Sequence, residues 1–220
     1  MGQAHLLTTP RQLTLIPLEV STPHIHSYSA ESIAGVDEVG RGALFGPVVA
    51  AAVILPESCL AELGAAGVTD SKLLSTRKRQ RLAHQIRNVA IAHQIALASV
   101  KEIDRLNILQ ASLLAMRRAV IGLKPPPQLC LVDGNQPIPG LEIEQYPIVQ
   151  GDRRSLAIAA ASILAKVWRD QFIARLAARY PHYDLANNKG YGTAAHRLAL
   201  QNYGPSRHHR GSFRPCRPQT

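Results

Sequence analysis

The sequence predicts an α/β fold, one central mixed β-sheet flanked by helices. Three observations carry that prediction. Short apolar runs alternate with helical segments in the order strand, strand, helix, strand, helix, strand, strand, helix, helix. The run Pro47 to Leu55 is apolar throughout, suits a strand buried on both faces, and falls short of the ~18 residues that a membrane span needs. The chain has 220 residues, 46% of them hydrophobic. A chain of this size buries roughly 70% of its unfolded surface without disulfides.

The elements follow in order. Residues 1 to about 31 show no sustained period and carry Pro10, Pro17 and Pro23, so a loosely ordered extension is expected there, with one folded domain over 32–220. The first strand runs from Ser32 to Asp37 and ends on acids. A glycine-punctuated turn from Gly40 to Pro47 leads to the strand Val48 to Leu55, and a glycine-rich stretch then ends at Thr69-Asp70-Ser71-Lys72. Ser75 suits the N-cap of a basic helix from Thr76 to about Val89. Ala90 to Val100 has strand composition through Ile91, Ile95 and Leu97, with its alanines leaving helix as an alternative. Lys101 to Leu123 reads as one helix, stopped by Pro125, Pro126 and Pro127. Leu129 to Val132 and Tyr146 to Val149 are short strands ending at Asp133 and at Gly151-Asp152. A long helix from about Arg153 to Arg179 carries the apolar stripe Leu156, Ala160, Ile163 and Val167, and Pro181 ends it. A loop, a short helix near Thr193 to Asn202 and a basic, proline-containing tail close the chain from about residue 181.

Composition narrows the function. Lys and Arg number 25 against 15 Asp and Glu, a formal net charge of +10. That field favours polyanions, nucleic acid first. No acid occurs between Asp70 and Glu102, where Lys72, Arg77, Lys78, Arg79, Arg81, Arg87 and Lys101 fall, and none after Asp184. No charged-then-apolar leader is evident at the start. The three cysteines (Cys59, Cys130, Cys216) form no CxxC pair and fit a reducing cytoplasm, with Cys130 expected in the core.

Four acids stand at the ends of predicted strands. Asp37 and Glu38 end the first, Asp133 follows Leu129 to Val132, and Asp152 follows Tyr146 to Val149. In open α/β sheets, sites collect at the carboxyl ends of strands, and carboxylates there suit hard cations such as Mg²⁺. Singly, each acid has an ordinary account. Asp133-Gly134 is a turn pair, Asp152 an N-cap, Asp37 and Glu38 loop acids. Together, four strand-end acids in a basic chain point to a metal site. Gly40-Arg41-Gly42 follows the acid pair directly, where a glycine backbone allows close approach and the arginine offers planar donors to phosphate or sugar oxygens. Lys189-Gly190-Tyr191-Gly192 puts a cation and a ring in a glycine-rich loop, suited to phosphate contact and stacking or to a plain turn. Lys72 is a similar cation. His208 and His209, beside Arg207 and Arg210, read as a solvated tail, and Lys166 with Asp170 as an i,i+4 ion pair.

These blocks resemble the bacterial type II ribonucleases H, from about Ile33 to Pro215. The resemblance rests on Ala34 to Gly42, Gly46 to Ala50, Asp70-Ser71-Lys72, Leu131 to Gly134, Gly151-Asp152, Ile158 to Lys166, Arg169-Asp170, Tyr180-Pro181 and Lys189 to Thr193. It implies the ribonuclease H-like mixed sheet with a C-terminal helical extension. It implies that Asp37, Glu38, Asp133 and Asp152 are the catalytic carboxylates holding Mg²⁺ or Mn²⁺. Gly40, Arg41 and Gly42 would read the ribose 2′-hydroxyl, Tyr191 would pack on the next sugar, and Lys72 and Lys189 would contact the substrate. The implied substrates are RNA–DNA hybrids and duplex DNA with embedded ribonucleotides, cut by a monomer with no membrane association. The sequence departs from the family pattern at Val39, at Asn187-Asn188 and in the tail after Pro205. Two other classes compete. A non-catalytic nucleic-acid-binding module explains the charge but not the acids. Another metal-dependent nuclease of the same fold explains the acids but has no use for a 2′-hydroxyl reader.

Overall fold

The structure is a computed structural model and describes residue 14 and residues 27–217. Most of the extension expected over residues 1–31 lies outside the described residues. Thr14 lies within them and bridges to Ser155, and a 3₁₀ turn over Ala30–Ser32 leads into the sheet.

Five strands form one mixed sheet in the order β3-β2-β1-β4-β5. They are β1 (Ile33–Val39), β2 (Val48–Ile54), β3 (Ala92–Ala98), β4 (Leu129–Asp133) and β5 (Glu144–Ile148). β1, β2 and β3 are antiparallel neighbours, whereas β4 runs parallel to β1 and β5 parallel to β4. A short turn over residues 40–47 joins β1 to β2, helices lie between β2 and β3 and between β3 and β4, and residues 134–143 join β4 to β5 without a helix.

β2 is buried along its whole length, as the unbroken run predicts. Its alternate residues serve two cores. Val48, Ala50, Ala52 and Ile54 face α4 (Ile108–Ile121), while Val49, Ala51 and Val53 face α2 (Thr76–Val89) and α5 (Leu156–Ala177). Ser75 caps α2 by accepting from the Lys78 amide, as expected. Ala92–Ala98 is a strand, which settles the open choice there. Cys130 is fully buried.

Four elements differ from expectation. The segment expected as one helix over 101–123 is two, α3 (Val100–Leu106) and α4, broken at Asn107. Asn107 takes φ 72° and its side chain accepts from the Gln110 amide, so it ends one helix and caps the next. A short helix α1 (Leu60–Ala66), ended by Gly67 at φ 86°, occupies the stretch read as glycine-rich coil. The long helix starts at Leu156 behind the Ser155 cap rather than at Arg153, with Gly151–Arg153 a 3₁₀ turn. Its burial is not a stripe. Every residue from Leu156 to Ala165 is buried, because the sheet lies on one side and α2 on the other.

The chain after Pro181 contains the short helix expected near Thr193 to Asn202, but its basic run at His209 and Arg210 is more ordered than the solvated tail read there. It forms α6 (Leu185–Asn188) and α7 (Ala194–Tyr203), and its Tyr183, Leu185, Ala199, Leu200 and Cys216 build a third core with Leu44, Phe45 and Ile173. His209 and Arg210 are buried in it, at 4% and 0% exposure. Phe45 and Tyr183 meet His209 in T-shaped ring contacts, and this enclosure overturns the solvent-exposed reading for His209 and Arg210, while Arg207 is exposed as read and His208 half-buried.

Candidate active site

The parallel pairing of β1 with β4 assembles the site. Its last register pair is Val36 with Val132, so Asp37 and Asp133 are the next residues on adjacent strands. On β1, Gly35 and Asp37 share the face toward α5. Helix and strand meet so closely there that a Cβ on Gly35 would lie 2.1 Å from the Ala157 carbonyl carbon. Glycine at position 35 is therefore what lets α5 press against the strand that carries Asp37. Asp37, Glu38 and Asp133 each direct a carboxylate oxygen into one cluster, all within 4.8 Å of one another.

Hydrogen bonds fix these acids. Asp37 Oδ1 accepts from the Glu38 amide at 2.6 Å, and Asp133 Oδ1 accepts from the Gly151 amide at 2.7 Å. Asp152 is buried beside them, outside the three-carboxylate cluster, and Lys72 Nζ lies 3.7 Å from its Oδ2. It does not cap α5; Ser155 does.

The electrostatics mark a site short of positive charge. Burial pushes the Asp37 carboxyl well above its usual range, and the Glu38 and Asp133 charges push it further. Burial likewise raises Glu38 against the opposing Arg41, and Asp133 against the Gly151 amide and Lys72. Asp152 is raised by burial and by Asp133 and Asp70. Three converging oxygens that resist ionising together are a donor set suited to a hard divalent cation, whose charge would relieve their repulsion. Mg²⁺ and Mn²⁺ both fit that chemistry.

A cleft of about 420 Å³ opens above the acids, lined among others by Asp37, Glu38, Lys72, Arg79, Lys166 and Tyr191. Lys72 is 77% exposed, held at its main chain by Asp70 Oδ1, which accepts from the Lys72 amide at 2.9 Å. Asp70 is itself 1% exposed and takes Arg153 Nε at 3.0 Å and Nη2 at 2.9 Å. Lys166 pairs with Asp170 at 2.8 Å, as the i,i+4 spacing predicts, and Arg79 joins the same carboxylate group at 3.6 Å.

The Gly40-Arg41-Gly42 turn stands at the cleft edge. Gly40 has φ +92°, and a Cβ there would lie 2.2 Å from Arg169 Nε, so the fold itself demands glycine. Gly42 differs: its φ lies outside the left-handed range, and among the described residues nothing stands within 4 Å of where its Cβ would be. Neither backbone conformation nor packing among the described residues requires glycine at 42. Arg41 is exposed, with Nη1 3.3 Å from Glu38 Oε1. Tyr191 bridges to Ala43 across the turn, with the Lys166 and Arg169 cations each 5.5 Å from its ring centre. Lys189 sits apart from the cleft; its Nζ donates to the Ala186 carbonyl and its own carbonyl accepts from Arg169. Asn188, where the family pattern is broken, is structural. It donates to the Tyr183 carbonyl at 2.6 Å and accepts from the Gly190 amide at 2.8 Å.

Sequence reasoning gave no role to Ser162, Arg169, Asp70 or Arg210. Ser162 shares a 2.9 Å hydrogen bond with Ser71 and, lining the cleft beside Asp37, works against the rise of the Asp37 carboxyl pKa. Only the helical spacing of Ser162, Lys166 and Arg169 hinted at one face turned toward the cleft.

Comparison with known proteins agrees with this geometry. The family described as Ribonuclease HII matches residues 34–216. The chain belongs to the ribonuclease HII family. It is accordingly a metal-dependent endoribonuclease. It is similar to the ribonuclease HII of Acaryochloris marina, 65% identical over 188 residues, which spans 86% of this chain and 95% of the relative. The ribonuclease HII of Trichodesmium erythraeum is also 65% identical, over 84% of this chain and 88% of its own. Among solved structures, the ribonuclease H2 from Pyrococcus horikoshii superposes with a TM-score of 0.73 at 27% identity, covering 84% of this chain and 95% of that one. Among the described residues, no helix is long and apolar enough to cross a membrane.

Proposed function

We propose that this chain hydrolyses the RNA strand of RNA–DNA hybrids and incises duplex DNA on the 5′ side of an embedded ribonucleotide, leaving 5′-phosphate and 3′-hydroxyl ends. Membership of the family carries the coarser part, endonuclease action on the RNA of hybrids. The observation that supports the finer part is the open Gly42 beside the convergent Asp37, Glu38 and Asp133.

Asp37, Glu38 and Asp133 would hold Mg²⁺ or Mn²⁺, with Asp152 completing the site. Bound there, a pair of such ions lowers the pKa of water and offsets charge on the leaving 3′-oxygen. The remaining work falls to the chain. Lys72, exposed along its side chain and anchored at its main chain, reaches a phosphate oxygen while offsetting Asp152. Arg41 offers a planar fork at the cleft mouth. Gly40 and Gly42 present bare backbone to the ribose, whose 2′-hydroxyl is what distinguishes RNA from DNA at one position. Tyr191 packs its ring on the neighbouring sugar. Lys189 acts on phosphate once its ammonium leaves the Ala186 carbonyl. The basic face of α2, with Arg77 and Arg81 exposed, holds duplex phosphates without reading sequence. The chain would act as a monomer, and its three cysteines are free and buried, which suits a reducing cytoplasm.

The test is cleavage of labelled duplex DNA carrying one ribonucleotide, beside an all-DNA duplex and a long hybrid. Cutting of the first and third with the all-DNA duplex intact is the expected result. Cutting of the all-DNA duplex would favour a general nuclease. Chelator-insensitive binding without any cutting would favour a binding module.

A further inference from the structure

Two fully buried arginines stand behind the turn assigned to the ribose. Arg210 Nη2 donates to the Gly40 carbonyl at 2.7 Å, Nη1 to the Arg41 carbonyl at 2.7 Å and Nε to the Gly46 carbonyl at 3.0 Å. Arg169 donates to the carbonyls of Pro47 at 3.1 Å, Phe45 at 2.9 Å and Lys189 at 2.9 Å. Every one of these bonds ends on main chain. Among the described residues, neither guanidinium has a carboxylate at ion-pair distance. A buried cation with no carboxylate in direct contact is expensive, and apolar residues of similar volume commonly serve stability better. Such a group is kept for the geometry it imposes. Five donors in a rigid plane can pin three carbonyls of one turn at once.

The residue before Arg210 reaches the other arm of the site. His209 Nδ1 accepts from the Ser206 amide at 2.9 Å, so its proton sits on Nε2. That Nε2 lies 3.0 Å from His196 Nε2, which must therefore accept. His196 then carries its proton on Nδ1 and donates to the Tyr191 carbonyl at 3.0 Å. The pair is a directed relay of two neutral imidazoles ending on the backbone of Tyr191. Beyond Arg210, Asp104 of α3 clamps the chain, accepting from the Gly211 amide at 3.1 Å and the Ser212 amide at 3.0 Å.

We propose that Ser206 to Arg210 is a positioning strap, with Arg210 setting the Gly40–Gly42 turn and the His209–His196 relay setting Tyr191, so that one segment fixes the spacing between the two groups that grip adjacent sugars. The proposal deepens, and rests on, the reading of that turn and Tyr191 as the ribose and sugar contacts. Arg210 and His209 touch no reacting atom; they act through the loops they hold.

The test separates the two layers. In an Asp37→Asn background with Mg²⁺, fluorescence anisotropy measures the dissociation constants of a duplex with one ribonucleotide and of its all-DNA counterpart. The background protein is expected to prefer the ribonucleotide. Arg210→Lys replaces the planar fork with a single amine donor, and is expected to reduce that preference at least about tenfold while all-DNA affinity stays within about twofold. With Asp37 intact, Arg210→Lys should lower kcat on the one-ribonucleotide duplex by about tenfold or more, with KM little changed. His209→Leu leaves Arg210 in place and cuts only the relay, so it serves where Arg210 variants fail to fold; a partial loss of preference is expected. His209→Gln, which can restore a donor toward His196, should recover it. Equal weakening on both duplexes, or an unchanged preference in both Arg210→Lys and His209→Leu, would overturn the strap. Absence of any preference in the background protein would overturn the ribose reading itself, and the strap with it.

Discussion

Gly42→Ala isolates the ribose approach from the fold. Among the described residues, no atom lies within 4 Å of the position the new methyl would take, and Gly42 does not use the left-handed region. The substitution therefore meets no overlap in the protein, and removes conformational freedom only from the unfolded chain. That stabilises by about 0.4–1 kcal/mol, a rise in Tm of about 1–4 °C for a domain of this size. The same methyl occupies the space through which the ribose would reach the backbone. A displacement of about 1 Å at a reacting centre costs on the order of 10²-fold in rate. Differential scanning fluorimetry and kcat/KM on a one-ribonucleotide duplex read the two effects separately. An unchanged or raised Tm with kcat/KM down about 10²-fold is expected. Wild-type kcat/KM would mean that no ribose approaches Gly42. A large fall in Tm would mean that the turn is packed more tightly than its geometry states. Gly40→Ala cannot make this distinction, since its Cβ would lie 2.2 Å from Arg169 Nε.

Gly35→Ala should be the opposite case: its Cβ would overlap the Ala157 carbonyl at 2.1 Å, costing about 3 kcal/mol or more, read as a fall in Tm or in soluble yield. Mn²⁺ at about 100 times its dissociation constant should stabilise the wild type by about 2.7 kcal/mol, and Asp37→Asn should largely erase that thermal shift. Acid should weaken the strap. Burial holds His209 down to about 4 and lowers His196, so above pH 6.5 the relay contributes fully. As pH falls from 6.5 toward 4, the unfolded chain binds protons that the folded chain refuses, a loss of up to about 3 kcal/mol from His209. The site carboxylates are raised and drift the other way, so the effect is read as the difference in Tm against pH between wild type and His209→Gln. Asp70→Ala should strand Arg153 and free the Lys72 main chain, lowering kcat several-fold with little change in duplex affinity, as steady-state kinetics and anisotropy would show.

The central sheet was legible because its signals are local. An unbroken apolar run marks β2, short runs leading into acids mark β4 and β1, although β1 continues through Asp37 and Glu38 to Val39 rather than ending on them, and a serine before a basic amphipathic segment marks the start of α2. Asp37 and Asp133 could be named as strand-end acids, but their adjacency depends on β1 pairing parallel to β4, which spacing alone does not encode. Asn107 was lost inside a helical pattern because its polar side chain looks the same on an exposed face as at a cap. Arg210 and His209 were invisible for a different reason. In sequence they are one basic run among several, and only the third core closing over them turns an ordinary surface pattern into a buried strap. The distinction between Gly40 and Gly42 was equally hidden, since both are glycines and only their surroundings tell them apart.

The most direct measurement is end-group mapping on a duplex with one ribonucleotide, for wild type and Asp37→Asn, in Mg²⁺, Mn²⁺ and EDTA. The expected result is a single metal-dependent cut on the 5′ side of the ribonucleotide, with 3′-hydroxyl and 5′-phosphate ends, lost in Asp37→Asn although that variant still binds the duplex. Cutting in EDTA, full turnover by Asp37→Asn, or a 2′,3′-cyclic phosphate at the new end would contradict a site built on Asp37, Glu38 and Asp133.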